Sequence, residues 1–563
     1  MRTSDKLPPL FRATIQPTLE TLNRDQVIER IWSKDYRLWK PDPKEILDRL
    51  GWLTVQDQMR QQLDSLQRCV VGAKQSGIKD VVLLGMGGSS LGPEVFRKTF
   101  GSQKGAPRLW VLDSTIPGWV RQVTKAISPS RTLFLVASKS GGTIEVMSLF
   151  AHFWKLVTKA KGNHGGKQFV AITDPGTGLE ALAKEYGFGE IFSNPADIGG
   201  RYSVLSLFGL VPAALLGLNI SRLLDRAAGM AERCRLQRDA QANLGAYLGA
   251  AMGSLAKAGR DKVTVIASPS LTTFGLWVEQ LLAESTGKEG TGLIPIAQEP
   301  VLKPRAYGAD RFFVYLKLKG EKNAALDQAV QALVKADQPV LQFNLRDVYD
   351  LGAEFFRWEF ATAVAGHVLG IHPFNQPNVQ ESKDNTNRVL DAFQSTGRLS
   401  DQPNHQPKDV AEALSGLLQP GSYLSVLGYT TPSRPLEAAI GRLRRAVMSK
   451  YCVATTFGYG PRYLHSTGQL HKGGPNTGVF LELVDRMVPD IPIPGRPFSF
   501  GTLANAQASG DLESLRTHHR EAIRIQLGRN PADVVDAITA AVTGTALSGQ
   551  HAGMKKRRRK TRR

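Results

Sequence analysis

Short apolar runs alternate with helical patterns along most of this chain. Continuous apolar runs of this length are typical of strands buried in a parallel sheet. In the first part of the chain they lie at residues 80–84, 108–112, 132–137 and 168–173. Because helical spacing separates each run from the next, the pattern predicts an α/β fold with a doubly wound parallel sheet across residues 76–225.

The same alternation returns further along the chain. The next strand runs are residues 262–267, 312–316 and 340–343, followed by a long helical pattern from Ala353 to Leu369. They predict a second doubly wound unit across residues 226–400. The remaining parts are a mainly helical start at residues 1–75, a C-terminal α/β extension at 401–553 and a basic tail at 554–563. The extension has strand runs near 423–428, 451–456 and 478–483 and is expected to complete the second domain.

One helical segment, Gln280 to Lys288, places a single carboxylate inside an otherwise apolar run. Gln280 and Glu284 are four residues apart, so their side chains share a helix face and can reach one pocket. A carboxylate there suits a general base that removes a proton next to a carbonyl. The alternative is a solvated glutamate near a helix end, since charged residues are mostly exposed.

Two loops upstream of this helix favour the catalytic interpretation. A buried strand run leads into Gly85-Met86-Gly87-Gly88-Ser89-Ser90-Leu91-Gly92-Pro93, and another leads into Ser138-Lys139-Ser140-Gly141-Gly142-Thr143-Ile144-Glu145. Each loop precedes a helical pattern, so backbone N–H groups and the positive helix end can face an anion. Neither loop matches a Walker A loop or a dinucleotide fingerprint. The loops therefore predict a small phosphate ester as the ligand.

Taken together, five motifs resemble the glucose-6-phosphate isomerases, a family built from sugar-isomerase domains. Gly87-Gly88-Ser89 resembles the sugar-contacting loop of that family, and Ser138-Lys139-Ser140-x-x-Thr143 resembles its phosphate loop, with Ser140 where Thr is more usual. Gly199-Gly200-Arg201-Tyr202-Ser203 resembles the segment whose arginine lies near the reacting carbons. Gln280-x-x-x-Glu284-Ser-x-Gly-Lys resembles the catalytic-base segment, and the segment from Pro373 to Lys383 resembles a late motif in which Gln376 and Lys383 are seven apart.

The resemblance implies reversible isomerisation of glucose 6-phosphate and fructose 6-phosphate, without metal or other cofactor. The implied catalytic residues are Glu284 as the base, Arg201 beside the enediolate, and Lys383 with His471 for ring opening. The implied substrate-binding residues are Gly88, Ser89, Ser138, Lys139, Ser140, Thr143, Gly200, Gln280 and Gln376. A homodimer, with a histidine supplied across the subunits, is the implied assembly.

The ring-opening histidine departs from the usual family pattern. Single-function members carry it a few dozen residues after the base, whereas residues 288–366 of this chain contain no histidine. The candidates are His372, His465 and His471. His471 stands between Gly468-Gln469 and Gly473-Gly474-Pro475-Asn476, which resembles the surroundings of the family histidine, so His471 is the prediction. A neutral histidine bonded within a loop is the alternative, and His372 is more readily explained as structural.

Other site residues also have structural alternatives. Arg201 could pair with Asp197, and Lys383 could be a solvated charge beside its acidic neighbours. Lys288 follows a glycine at the predicted helix end and is interpreted as part of a solvated cap.

The nearest resemblance is to the isomerase half of bifunctional transaldolase/glucose-6-phosphate isomerase chains. It rests on Arg30-Ile31-Trp32-Ser33-Lys34-Asp35 and on the segment from Gly458 to Asn476. The sequence starts in isomerase-like residues, so the transaldolase half is expected to be absent. Isomerisation of another aldose phosphate, such as mannose 6-phosphate, and a non-catalytic sugar-phosphate sensor remain alternatives.

Composition adds limits to the partners and the location. The chain has 563 residues and three cysteines, which predicts a reducing, cytoplasmic environment without a disulfide framework. No secretory signal or membrane span is visible in the sequence. The formal net charge of +21 suits an anionic substrate. Part of this charge belongs to the tail, from which only weak nucleic-acid binding is expected.

Overall fold

The part of the chain that the structure describes forms three separate β-sheets. The computed structural model describes residues 2–399 and 402–545, and these ranges contain fourteen strands. In chain order the strands are β1 (Arg2–Asp5), β2 (Asp80–Gly85), β3 (Arg108–Leu112), β4 (Thr132–Ala137), β5 (Phe169–Thr173), β6 (Glu190–Ser193), β7 (Lys262–Ala267), β8 (Ile294–Ile296), β9 (Arg311–Leu318), β10 (Val340–Leu345), β11 (Tyr423–Tyr429), β12 (Ala454–Tyr459), β13 (Gly478–Val484) and β14 (Glu521–Gln526). The basic tail expected at residues 554–563 lies outside the described residues.

Helices connect the strands and cover the faces of the sheets. They are α1 (Pro9–Arg24), α2 (Val27–Trp32), α3 (Val55–Arg60), α4 (Leu63–Gln75), α5 (Gly88–Phe100), α6 (Pro117–Ala126), α7 (Ile144–Lys161), α8 (Gly178–Glu185), α9 (Leu207–Leu215), α10 (Ile220–Leu236), α11 (Leu244–Lys257), α12 (Phe274–Thr286), α13 (Ala324–Lys335), α14 (Leu351–Leu369), α15 (Pro377–Thr396), α16 (Pro407–Leu417), α17 (Arg434–Tyr451), α18 (Gly468–Gly473), α19 (Phe500–Thr517) and α20 (Pro531–Thr543). Within the described ranges, none of them combines the length and the apolar composition that a membrane-spanning helix needs.

The first sheet has the order β3-β2-β4-β5-β6, and all of its strands are parallel. Each predicted strand run of this unit coincides with a strand to within one residue, which confirms the doubly wound prediction. The chain winds away from β2 in both directions, so a crevice forms between β2 and β4 at the carboxyl ends of these strands. Ligands bind at such a crevice in this class of sheet. The loop at residues 85–93, here called the glycine loop, follows β2. The loop at residues 138–145, here called the hydroxyl loop, follows β4, so both loops lie at this position.

The second sheet has the order β1-β10-β9-β7-β8. Strands β7 to β10 are parallel, as the sequence predicts, whereas β1 pairs antiparallel with β10. A strand at Arg2–Asp5 departs from the expected helical start of the chain. These four polar residues carry no apolar alternation, so the sequence pattern contains no signal for a strand there.

The third sheet, β12-β11-β13-β14, is parallel and belongs to the C-terminal region alone. It has its own apolar core, which includes Leu424, Val426 and Leu481. This region therefore forms a sheet of its own, whereas the sequence pattern predicts that it completes the second domain. Apolar alternation identifies strands but does not say which sheet each strand joins. The predicted domain boundaries themselves stay predictions.

Each sheet and the helices packed on it form one unit, numbered here as its sheet is. Helix α12 lies where the three units meet. It packs against α5 of the first unit, α14 of the second and α18 of the third. One apolar cluster joins Ala283 of α12 to Ile294 of β8, and to Tyr463 and Leu470 of the third unit. The helix with the predicted base is therefore surrounded by segments from all three units.

Candidate active site

Glu284 lies buried near the end of helix α12. Gln280, one turn earlier, donates a hydrogen bond from Nε2 to Glu284 Oε2 at 3.0 Å. The two side chains therefore share one helix face, as their spacing predicts. Only 11% of the Glu284 side chain is exposed, which disagrees with the alternative of a solvated glutamate.

Arg201, in the short turn Gly200–Tyr202, is buried beside Glu284. Its Nη1 lies 3.5 Å from Glu284 Oε2. The guanidinium also donates at 2.8 to 3.0 Å to Ser285 Oγ, Gln376 Oε1 and the carbonyls of Pro373 and Asn375. Arg201 therefore binds these partners instead of Asp197, which is the structural alternative. The predicted base, arginine and Gln376 thus form one buried cluster, with a fixed positive charge where an enediolate would develop.

Lys288 is a site residue that the sequence analysis misses. It is buried instead of solvated, and its Nζ donates to the carbonyls of His372 and Asn375 and, at 2.8 Å, to Asn375 Oδ1. Burial and the nearby Arg201 charge hold the pKa of this ammonium well below its usual value, against the opposing effect of Glu284. Lys288 and Arg201 together fix the segment before α15. The sequence signal for Lys288 is that a lysine follows a glycine shortly after the base. The same arrangement also fits an exposed helix end.

His372 has the structural role that the sequence favours. Its Nε2 lies 3.1 Å from the Lys44 carbonyl, and its Nδ1 accepts a hydrogen bond from the Phe374 amide. Burial lowers the pKa of its imidazole to about 4. Both ring nitrogens are therefore occupied by backbone groups of the protein.

The glycine loop after β2 packs tightly against other site segments. A Cβ on Gly88 would lie 1.9 Å from the Gly200 carbonyl oxygen. Gly87 has φ +54°, and a Cβ there would lie 2.6 Å from the His465 carbonyl oxygen. Ser89 is buried beside them in the first turn of α5. Glycine is required because these backbones are nearly in contact, and the predicted residues Gly88, Ser89 and Gly200 therefore lie together.

The hydroxyl loop after β4 is ordered by its own side chains. Ser138 Oγ and Thr143 Oγ1 lie 2.9 Å apart, and Thr173 donates to the Ser138 carbonyl at 2.7 Å. Thr143 is the residue before the first turn of α7, so unpaired backbone N–H groups start here. This arrangement suits an anion, as the sequence predicts.

The side chain of Lys139 is paired within its own unit. Its ammonium forms an ion pair with Asp174 and donates to the Ala196 carbonyl at 3.0 Å. A carboxylate of the same unit therefore already compensates this charge. The Lys139 ammonium holds the loop through these contacts, and the substrate-binding role of Lys139 stays a prediction.

His465, rather than His471, reaches the other site segments. Its Nε2 donates to Glu145 Oε1 at 2.8 Å, and Gln507 donates to the same oxygen at 2.7 Å. Burial alone would raise the pKa of the Glu145 carboxyl, but the charge and hydrogen bond of His465, together with the charge of Lys383, hold that pKa below its usual value. The His465 carbonyl accepts a hydrogen bond from Gln280 at 3.0 Å. These contacts are made within one chain, and the supply of a histidine across subunits stays a prediction.

His471 lies in the apolar interior beneath the third sheet. Its ring packs against Tyr463 and Phe480, with centroids 5.8 and 4.9 Å away, and its Nδ1 has no hydrogen-bond partner among the described residues. Burial, with the charges of Lys472 and Arg520, holds the pKa of this imidazole well below its usual value. The assignment of ring opening to His471 is therefore corrected. The short helix α18 turns His471 into the core, whereas His465 precedes that helix and faces the site.

A cavity of about 490 Å³ opens beside the hydroxyl loop. Its lining comes from that loop, from α15 and from the third unit, and consists of Ser140, Gly142, Thr143, Ile144, Glu145, Val379, Ser382, Lys383, Thr386, Asn387, Leu464, His465, Arg496 and Gln507. The predicted residues Ser140, Thr143 and Lys383 thus meet at one cavity. Glu284, Arg201 and Gln376 do not line it and form the adjacent buried cluster. His465 connects the two groups, because its ring faces Glu145 and its carbonyl is bound by Gln280.

A larger cavity, of about 690 Å³, contains none of the predicted site residues. It is lined in part by Glu279, Arg444 and Arg462. Burial raises the pKa of Glu279 to about 8, although the charges of the two arginines oppose this. Glu279 is therefore a second buried carboxyl on α12 that lies apart from the hydroxyl loop.

Sequence and structure comparisons agree with this geometry. The family model described as phosphoglucose isomerase matches residues 38–293. The glucose-6-phosphate isomerase of Rubrobacter xylanophilus is 30% identical over 372 residues, covering 58% of this chain and 85% of that relative. The chain belongs to the phosphoglucose isomerase family. The enzyme of the same name from Campylobacter jejuni is 29% identical over 350 residues, covering 54% of this chain and 84% of the relative.

Two solved structures share the fold of this chain. A hypothetical protein from Thermus thermophilus superposes with a TM-score of 0.56 at 24% identity, covering 69% of this chain and 99% of that one. A glucose-6-phosphate isomerase from Chlamydia trachomatis has the same TM-score at 18% identity, covering 67% of this chain and 86% of that one. The family membership confirms the recognition made from the five motifs. The narrower resemblance to the bifunctional branch stays a prediction.

Proposed function

We propose that this protein interconverts glucose 6-phosphate and fructose 6-phosphate through a cis-enediolate, without a metal ion. The observation that carries the proposal is the buried contact of Glu284 with Gln280 and Arg201. A carboxylate beside a fixed guanidinium suits proton removal next to a carbonyl, since the guanidinium stabilises the charge that develops on oxygen. Family membership supports the same reaction.

The hydroxyl loop anchors the substrate by its phosphoryl group. Ser138, Ser140 and Thr143 supply hydroxyl donors, and the start of α7 supplies backbone N–H groups. Binding energy from this remote group then positions the reacting carbons near Glu284. Gly88, Ser89 and Gly200 form the close-packed wall against which the sugar lies.

His465 opens the sugar ring together with Lys383. The hydrogen bond to Glu145 fixes the proton on Nε2, so Nδ1 is the nitrogen that exchanges a proton with the ring oxygen or the anomeric hydroxyl. The ionised Glu145 stabilises the imidazolium that forms when His465 accepts a proton. Lys383 lines the same cavity and supplies the second acid–base group.

Glu284 then carries the isomerisation step. It takes the proton from C2 and returns it to C1, while Arg201 stays protonated and stabilises the enediolate oxygen. Gln280 orients the carboxylate through the hydrogen bond already described, and Gln376 is held for a sugar hydroxyl by Arg201. A sensor would not need this base, and nothing in the geometry favours mannose 6-phosphate. A homodimer and a cytoplasmic location are part of the same proposal and stay predictions.

Turnover in deuterium oxide tests the proposed reaction. Fructose 6-phosphate should give glucose 6-phosphate that carries deuterium at C2, because the proton on Glu284 can exchange with solvent before it is returned. Product without any deuterium would indicate direct hydride transfer and contradict the enediolate route. Binding of sugar phosphate without turnover would contradict the enzyme assignment and favour the sensor.

A further inference from the structure

Lys139 brings no unpaired positive charge to the phosphate end of the cavity. A phosphate monoester carries nearly two negative charges near neutral pH. Hydroxyl and backbone donors can bind its oxygens but bring no full charge of their own. Lys139 is paired with Asp174, and Lys383 of the same cavity is assigned to ring opening, so neither lysine is placed to neutralise the phosphoryl group.

Arg496 lines the same cavity as Ser140, Gly142 and Thr143. It belongs to the segment between β13 and α19 of the third unit, whereas the hydroxyl loop belongs to the first unit. Its side chain is exposed, and it forms no ion pair or side-chain hydrogen bond within the part of the chain that the structure describes. The guanidinium is therefore free to bind a ligand.

The position of Arg496 is fixed by the packing of its neighbours. Ile493 and Phe498 are buried in the core on one face of the first sheet, in the same cluster as Leu390 of α15. Between them the chain makes a turn in which the Arg496 amide donates to the Ile493 carbonyl at 3.1 Å and Gly495 has φ +73°. An anchor on each side thus presents Arg496 at the rim of the cavity.

Asp490 connects the two ends of this segment. Its carboxylate accepts hydrogen bonds from the Gly501 amide at 2.7 Å and from Ser499 Oγ. Pro492 and Ser499 also pair as an isolated antiparallel bridge. The segment is therefore held at both ends, so little ordering is needed when Arg496 binds an anion.

We propose that Arg496 binds the phosphoryl group of the substrate opposite the hydroxyl loop. A guanidinium can contact two phosphate oxygens at once, which a hydroxyl cannot. The phosphoryl group then bridges the first and third units, and the third unit also carries His465. Substrate phosphate would therefore hold the ring-opening histidine against the site. This inference rests on the proposed function for its substrate, a sugar phosphate.

The test compares Arg496→Gln with Arg486→Gln, an exposed arginine in the same connecting segment that does not line the cavity. Loss of a charge-assisted contact of this kind should lower kcat/KM for fructose 6-phosphate by about ten- to a hundredfold, largely through KM. Arg496→Lys should recover part of this loss. Arg486→Gln should behave as wild type. Equal KM values in all variants would overturn the inference.

Inhibition by inorganic phosphate separates this inference from the isomerase assignment. Phosphate should bind wild type and Arg486→Gln alike and should bind Arg496→Gln at least about tenfold more weakly. If the protein has no isomerase activity but calorimetry shows the same difference in phosphate affinity between the variants, the result would support Arg496 and reject the proposed reaction. Unchanged phosphate affinity in an active Arg496→Gln variant would reject Arg496 alone. Matching thermal unfolding of the variants confirms that the exposed substitution leaves the fold intact.

Discussion

The imidazole of His465 and the carboxylate of Glu145 lie 2.8 Å apart, although 320 residues separate them in the chain. Glu145 lies in the first turn of the helix after the hydroxyl loop of the first unit, and His465 follows an edge strand of the third unit. A single chain therefore brings together the phosphate loop, the buried base cluster and an acid–base pair. The third unit contributes to the site itself.

Replacing His465 by alanine should lower kcat/KM on closed-ring substrate about tenfold or more, because the group that exchanges the ring proton is lost. His471→Ala should keep most of the activity. It should instead lower the free energy of unfolding by roughly 2–4 kcal/mol, since it removes a ring packed between Tyr463 and Phe480. Steady-state kinetics and denaturant unfolding of both variants check these outcomes. A larger kinetic loss in His471→Ala would restore the assignment made from sequence.

Glu145→Gln should make stability less dependent on pH. The fold lowers the pKa of this carboxyl below its usual 4.5, so its ionised form is favoured in the native state. That stabilisation is present above the unfolded pKa and is lost as the pH falls through the lower folded pKa. The gap in free energy of unfolding between wild type and variant should therefore be larger at about pH 6 than at about pH 3.5. A gap that is the same at both values would contradict the ionised pair.

Lys288→Met should lower kcat, although Lys288 itself does not contact the substrate. The change removes the donors that hold the His372 and Asn375 carbonyls, and the segment bound by Arg201 loses its second support. We expect a loss of about 2 kcal/mol in stability, from buried carbonyls left without donors, and a fall in kcat. Lys303→Met, an exposed lysine, is the control. Unchanged kcat would show that Arg201 is positioned without Lys288.

Prolonged treatment with a chelator such as EDTA should leave turnover unchanged. The proposed steps use side-chain acids, bases and a guanidinium, and the positive charge beside the enediolate comes from Arg201. The measurement is the coupled rate before and after dialysis against EDTA. Loss of the rate, with recovery on addition of a divalent metal ion, would contradict this reaction.

Much of the fold follows from the sequence, because strands buried on both faces must be apolar throughout. Strands β2 and β4 therefore match their predicted runs closely, at Asp80–Gly85 and Thr132–Ala137. The four-residue spacing of Gln280 and Glu284 likewise predicts their contact, because a helix fixes it. Local patterns of this kind depend only on neighbouring residues.

Other features depend on contacts that the sequence pattern does not contain. Arg2–Asp5 becomes a strand by pairing with an existing sheet edge, without any apolar pattern of its own. Lys288 is buried because two distant carbonyls accept its hydrogen bonds, although its position after a glycine resembles an exposed helix end. His465 and His471 are six residues apart, and only the folded third unit decides which of them faces the site.

The most direct test of Glu284 as the base compares wild type, Glu284→Gln and Glu279→Gln in the turnover of fructose 6-phosphate to glucose 6-phosphate. Both substitutions replace a buried carboxyl on the same helix by an amide of similar size, but only Glu284 contacts Arg201. We expect a loss of about a hundredfold or more in Glu284→Gln and near wild-type turnover in Glu279→Gln. Full activity in Glu284→Gln, or the larger loss in Glu279→Gln, would contradict Glu284 as the base.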